Sequence, residues 1–207
     1  MARFFQWFGL PGEVVLAGLL LLAAAALAAA LRTGDRKLAA AGMLFGALGD
    51  AAAVNFAGLG RFLPFSPLLL GFLFYILSRV LYAAAFVALI RRNRYPVYTP
   101  PFGAGIVLTL AFLTAAMVAM ATGGTFPGAG AALVCVLYAA ASGGMLSAAW
   151  SYSRSERSVR SAAAAGALAL FGVDLAYGLG LLCQVHVADG LIWWVYPFAQ
   201  LLLLLCV

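Results

Sequence analysis

KLAAAGMLFGALGDAAAVNF, residues 37–56, carries one acid, Asp50, more than a helical turn inside an otherwise apolar run. As a helix this stretch would be about 30 Å long, which is the thickness of a bilayer's hydrocarbon core. An ionised aspartate at that depth is costly and faces protein or water rather than lipid, so it marks a functional site unless a partner neutralises it. What the rest of the chain places at the same depth decides between the two.

Similar apolar runs fill the sequence, which is 66% hydrophobic and 9% charged over 207 residues. A mean hydropathy of +1.09 excludes an ordinary soluble domain. The pattern predicts an all-α, polytopic membrane bundle forming a single integral membrane domain, residues 1–207. Seven spans are expected at about 13–31, 38–56, 68–90, 102–121, 130–150, 162–182 and 191–207. The loops between them are too short for a second domain.

Charge placement supports that count. Arg32, Arg36 and Lys37 fall in the first loop, Arg91, Arg92 and Arg94 in the third, and Arg154, Arg157 and Arg160 in the fifth. Only Arg3 and Arg61 fall on the other side, so the N-terminus is expected outside and the C-terminus in the cytoplasm. The net charge of +6 therefore belongs to one membrane face, where anionic headgroups, not nucleic acid, are the natural partners. Three basic residues follow the first apolar run and one precedes it, so that run reads as a helix and not as a cleaved signal peptide. High Ala and Arg with a single Lys suggests a bacterial inner membrane.

Cys135, Cys183 and Cys206 are scattered without metal-ligand spacing and read as packing residues. The single histidine, His186, reads as a surface residue, because one His without other ligands makes no zinc site. Trp7, Trp193, Trp194 and Tyr196 at one face and Trp150, Tyr152, Tyr95 and Tyr98 at the other read as interfacial belts. Gly42 and Gly46 form a GxxxG step, and with Gly143, Gly144 and Gly172 they would let helices approach closely.

Six carboxylates are present, and only Asp50 and Asp174 lie well inside spans. Each stands twelve residues from the cytoplasmic start of its span, about 18 Å into the membrane. AGMLFGALGD (41–50) and AGALALFGVD (165–174) share their first two residues, a Leu and the Asp, in spans that run the same way. That is compatible with a parallel repeat of three spans, a linking span and three more. Two carboxyls facing one another in a low dielectric do not both ionise readily, so the pair can supply a general acid and a general base together. Polar residues on other spans join them as candidates. Arg79, inside the third span, needs a carboxylate or phosphate partner; Tyr196 and Gln200 are one turn apart on the last span; Asn55 follows Asp50 toward the outside. From these residues alone, an enzyme, a proton-coupled transporter and a seven-helix ligand-binding sensor all remain open.

The blocks AAGMLFGALGDAAA, GFLFYILSRVLYAAAF, LYAAASGGML, GALALFGVDLAYGLG and VYPFAQLLL resemble, in order, successive blocks of the lysoplasmalogenase (YhhN-like) family over residues 38 to 205. The resemblance implies a membrane-embedded hydrolase that cleaves the vinyl ether bond of a lysophospholipid, releasing a fatty aldehyde and a glycerophospho-alcohol. It implies Asp50 and Asp174 as the catalytic aspartate dyad and Tyr196 and Gln200 as site residues; beside these, Arg79, Tyr82 and Asn55 are expected to join Tyr196 and Gln200 in binding the substrate. No metal or organic cofactor is called for. Three departures stand out: Arg79 where the family block usually has His, Val173 for a frequent Ser, and seven spans where eight are commonly drawn.

Overall fold

The structure, a computed structural model, describes residues 12–33, 36–53, 55–61, 66–96, 99–122, 129–154, 161–183 and 189–206. Seven α-helices account for nearly all of them: α1 Gly12–Thr33, α2 Lys37–Ala53, α3 Pro67–Arg92, α4 Thr99–Thr122, α5 Ala129–Ser153, α6 Ser161–Cys183 and α7 Asp189–Cys206. A short 3-10 helix, Phe56–Arg61, follows α2, and the described residues contain no strand. The expected all-α bundle is thus present, with helix positions close to those read from hydropathy.

The ends of the helices have local causes. The second helix stops at Ala53, three residues before the expected end, because Asn55 takes a left-handed φ of 54° and its N–H bonds back to the Ala52 carbonyl. Asparagine tolerates that conformation better than most residues and ends helices the way glycine does. Pro67 opens α3, where its missing N–H costs nothing. At the other end Arg94 (φ 53°) donates to the Arg91 carbonyl and Tyr95 to that of Ile90, the two reversed bonds of a Schellman motif.

Consecutive helices pack together from α1 to α3 and again from α4 to α7, while α3 crosses to α5 and α2 touches α7. The long helix α3 is therefore central. Small residues set the close approaches. A Cβ on Gly42 would come within 3.3 Å of the Tyr82 ring, and one on Gly105 or Gly143 would run into Ser147 or Thr109 across the α4–α5 contact. Gly144 and Gly172 meet nothing, so those two do not serve packing. Tyr152 and Tyr196 depart from the belt reading: both are buried, and Tyr152 packs against Phe86 and Tyr95 at 5.6 and 6.4 Å. Trp7, His186 and Tyr98 lie outside the described residues, as do the side chains of Trp193, Trp194, Cys183 and Cys206.

The outward faces are as apolar as the interior. Leu21, Val107, Leu133, Phe198 and Leu205 are each more than half exposed, a surface that water would disfavour and lipid would not. Two of the described helical stretches, Pro67–Arg92 and Leu133–Ser153, are long and apolar enough to cross a bilayer.

Candidate functional site

The polar residues of the interior gather on faces set by helical spacing. Tyr75, Ser78, Arg79 and Tyr82 occupy one side of α3, at intervals of three and four. Facing them are Asp50 on α2, Tyr138 and Ser142 on α5, Asp174 on α6 and Gln200 on α7, all buried. The cluster has two halves.

In the first half Arg79 and Asp174 form an ion pair with both partners almost wholly shielded, at 0% and 3% exposure. Nη2 donates to Oδ1 at 2.6 Å and Nε to Oδ2 at 2.8 Å, the two-pronged geometry that suits guanidinium and carboxylate. Ser142 Oγ donates to the same Oδ2 at 2.7 Å, and Tyr138 stands beside the carboxylate. The third guanidinium nitrogen, Nη1, reaches Ser78 Oγ at 3.2 Å, while Ser78 Oγ itself donates to the Gly42 carbonyl at 2.7 Å. Asp174 is a carboxylate with its charge answered.

The second half is built around Asp50. Its Oδ1 accepts a hydrogen bond of 2.7 Å from the Tyr75 hydroxyl, and Tyr196 stands on another side of the same carboxyl. Among the described residues Asp50 pairs with no guanidinium; the Arg79 charge lies beyond the Tyr75 ring, with its central carbon 6.0 Å from the ring centroid. Nearby, Tyr82 donates to Gln200 Oε1 at 2.6 Å, fixing the amide so that its Nε2 lies over Gly46. Gly46 makes room for the amide in that place, because a Cβ would sit 2.5 Å from Nε2.

A cavity between α1, α2 and α7 ends on this second half. Asp50, Tyr196 and Gln200 are its polar residues, and Leu19, Leu22, Met43, Ala47, Pro197, Phe198 and Leu201 complete the wall. Leu22, Phe198 and Leu201 are also exposed on the outside of the bundle, so the cavity runs from the apolar surface inward to the carboxyl. Neither Arg79 nor Asp174 lines it.

The expected site residues thus divide. Asp50, Tyr196 and Gln200 share the cavity, Tyr82 backs Gln200 from behind, and Arg79 is engaged with Asp174. Asn55 lies apart, exposed at the turn after α2. Tyr75, Tyr138, Ser78 and Ser142 were not singled out by the sequence reading. A signal for three of them existed: Tyr75 precedes Arg79 by one turn, and Ser142 follows Tyr138 by one turn, each spacing that puts two polar groups on one helix face.

A helical bundle with apolar outer faces, a buried ion pair and a cavity running from the apolar surface to a carboxyl defines a membrane-type protein with a buried polar site. The chain belongs to the YhhN family, whose model matches residues 14–207. Neither the curated proteins nor the solved structures compared with it give a match.

Proposed function

We propose that the protein is a membrane-embedded lipid hydrolase that cleaves the vinyl ether bond of lysoplasmalogens. The observation that carries this reading is the cavity: it opens through Leu22, Phe198 and Leu201 on the apolar surface and ends at Asp50, Tyr196 and Gln200. Such a passage suits a substrate that arrives from the bilayer, with its alkenyl chain against leucines and its ether oxygen at the polar end. In the same proposal the chain forms one integral membrane domain of seven spans in a bacterial inner membrane. Its N-terminus lies outside and its C-terminus in the cytoplasm, and basic residues such as Arg32, Lys37, Arg92 and Arg154 meet anionic headgroups.

The two aspartates enter unequally. Asp50, at the cavity, gives its proton to the alkenyl carbon next but one to the ether oxygen; a C–H bond forms and the double-bond electrons leave an oxocarbenium ion. The resulting Asp50 carboxylate stabilises that cation and takes a proton from the water that attacks it. The hemiacetal then collapses: the carbon–oxygen bond to the glycerol breaks, the departing oxygen gains the proton that Asp50 took from the water, and the hemiacetal hydroxyl gives its own proton back to Asp50 as the carbonyl forms, giving aldehyde and glycerophospho-alcohol. Gln200 Nε2, presented by Tyr82, and the Tyr196 hydroxyl supply donors to the substrate's oxygens. Asp174 acts at one remove: it neutralises Arg79, and so holds the potential at Asp50 at a level where its carboxyl can carry a proton.

The test is aldehyde release from a lysoplasmalogen by the purified protein in detergent, with ethanolamine and choline headgroups and with Asp50→Asn as control. Release that disappears in the variant supports the reading; no release from folded wild-type protein with either headgroup removes it.

A further inference from the structure

Tyr75 stands between the two halves of the polar cluster and belongs to neither the cavity wall nor the ion pair. Its hydroxyl donates to Asp50 Oδ1 at 2.7 Å, and the guanidinium of Arg79, one helical turn along α3, lies over its ring at 6.0 Å. The ring is held on its remaining sides. Phe72 packs at 6.4 Å edge to face and Tyr138 at 6.2 Å, and the bare backbone of Gly49 leaves the slot it occupies, since a Cβ there would come 2.6 Å from the ring. A phenol placed so tightly has little freedom to turn its hydroxyl elsewhere.

We infer that Tyr75 is a positioning residue for proton transfer, whose hydroxyl strengthens its hold on Asp50 as that carboxyl gives up its proton. The reason is chemical. A hydroxyl bonded to a carboxylate makes a shorter and stronger bond than one bonded to a neutral acid, and a cation over the ring draws electron density from the phenol and improves it as a donor. The bond therefore gains strength in the transition state of proton donation, not in substrate binding, which is the condition for raising kcat without changing KM. Because Tyr75 does not line the cavity, nothing in its role concerns substrate affinity.

Other groups bear on Asp50 as well: Tyr196 from α7, Asp174 from α6, Arg79 from α3 and, through the ring stack, Tyr138 from α5. The nearby α1 residues that share the cavity with it are Leu19 and Leu22. Removing the Tyr75 hydroxyl leaves all of these in place and takes away one donor to the ionised form. Asp50 then keeps its proton to a higher pH and is a weaker acid.

The decisive experiment reads Asp50 directly. Infrared spectra of the protein in lipid are recorded across pH, and the carbonyl stretch of protonated Asp50 is identified as the band missing from Asp50→Asn. In Tyr75→Phe this band is expected at higher frequency, with its titration midpoint raised by about one pH unit for the lost bond. Gly49→Ala, which displaces the ring without altering the hydroxyl, should move it the same way, and Phe72→Leu should not move it. An unchanged band in Tyr75→Phe, or no band lost in Asp50→Asn, overturns the inference. The consequence for turnover rests on the hydrolase reading. There Tyr75→Phe should lower kcat about 10- to 100-fold with KM within about twofold, and should carry the alkaline limb of the pH profile upward. Absence of aldehyde release by wild type would count against the hydrolase and leave the infrared result standing, so the two can fail separately.

Discussion

Around Asp174 the helices close on a neutralised pair, while around Asp50 they part to leave a cavity. Both acids are almost fully buried, at 3% exposure, and both sit on small-residue helices at equal depth by sequence. What differs is the residue opposite. Asp174 meets a guanidinium from α3 and a serine from α5, and Asp50 meets tyrosines from α3 and α7. If the sequence holds a repeat of three spans, α2 corresponds to α6 and α3 to α7; Asp174 then pairs with Arg79 of the other half, while Asp50 meets Tyr75 of its own half and Tyr196 of the other. The repeat would in that case have kept the position of the acid and changed its partner, so that one copy is a structural ion pair and the other an open chemical site.

The sharpest way to break this contrast is to neutralise each acid in turn. Asp50→Asn should cost about 10³-fold in kcat while the melting temperature in detergent stays within a few degrees, since no cation is left unpaired. Equal loss of stability and activity would mean that Asp50 also holds the bundle together. Asp174→Asn should do the reverse first: it leaves Arg79 buried without a counter-charge and lowers stability by about 3–5 kcal/mol. Any Asp174→Asn that folds should also be inactive, because the unanswered cation keeps Asp50 ionised. Combining it with Arg79→Gln separates the two roles. The neutral double variant should recover most of the stability and part of the turnover; a stable but dead double variant would make Asp174 a group that acts on the substrate.

Smaller effects refine the picture. Gly46→Ala puts a methyl where the Gln200 amide lies, and the amide end is flexible enough to swing away. Stability should stay within about 1 kcal/mol, helped by the better helix propensity of alanine, while kcat/KM for the lipid falls about tenfold as the donor leaves the cavity. Ser142→Ala removes one hydrogen bond to Asp174 and should cost about 1–2 kcal/mol in a thermal or chemical denaturation, with turnover almost unchanged. A large loss of activity from Ser142→Ala would show that the closed half of the cluster reaches the chemistry after all.

Much of this molecule is legible in its sequence because the forces that place the helices act locally. Apolar runs of bilayer length, separated by arginines, prolines and Asn55, mark the seven helices to within a few residues. The same reasoning isolates Asp50 and Asp174, since no other acid lies deep in an apolar run. The family blocks carry Tyr196 and Gln200 along with them. The misplaced end of α2 comes from backbone geometry at Asn55, which hydropathy does not register.

Pairing is what only the tertiary structure decides. Arg79 and Asp174 are 95 residues apart, Tyr82 and Gln200 are 118 apart, and Tyr75 and Asp50 are 25 apart. A single arginine and two aspartates of equal depth allow two ion pairs, and nothing in composition or spacing selects one. The choice is made by packing: α3 passes between α2 and α5, Gly42 and Gly49 bring its Tyr82 and Tyr75 against the α2 backbone, and Arg79 is turned away from α2 toward α6. Burial of charged groups therefore follows from sequence, and the identity of the group left facing the cavity follows from how the helices cross.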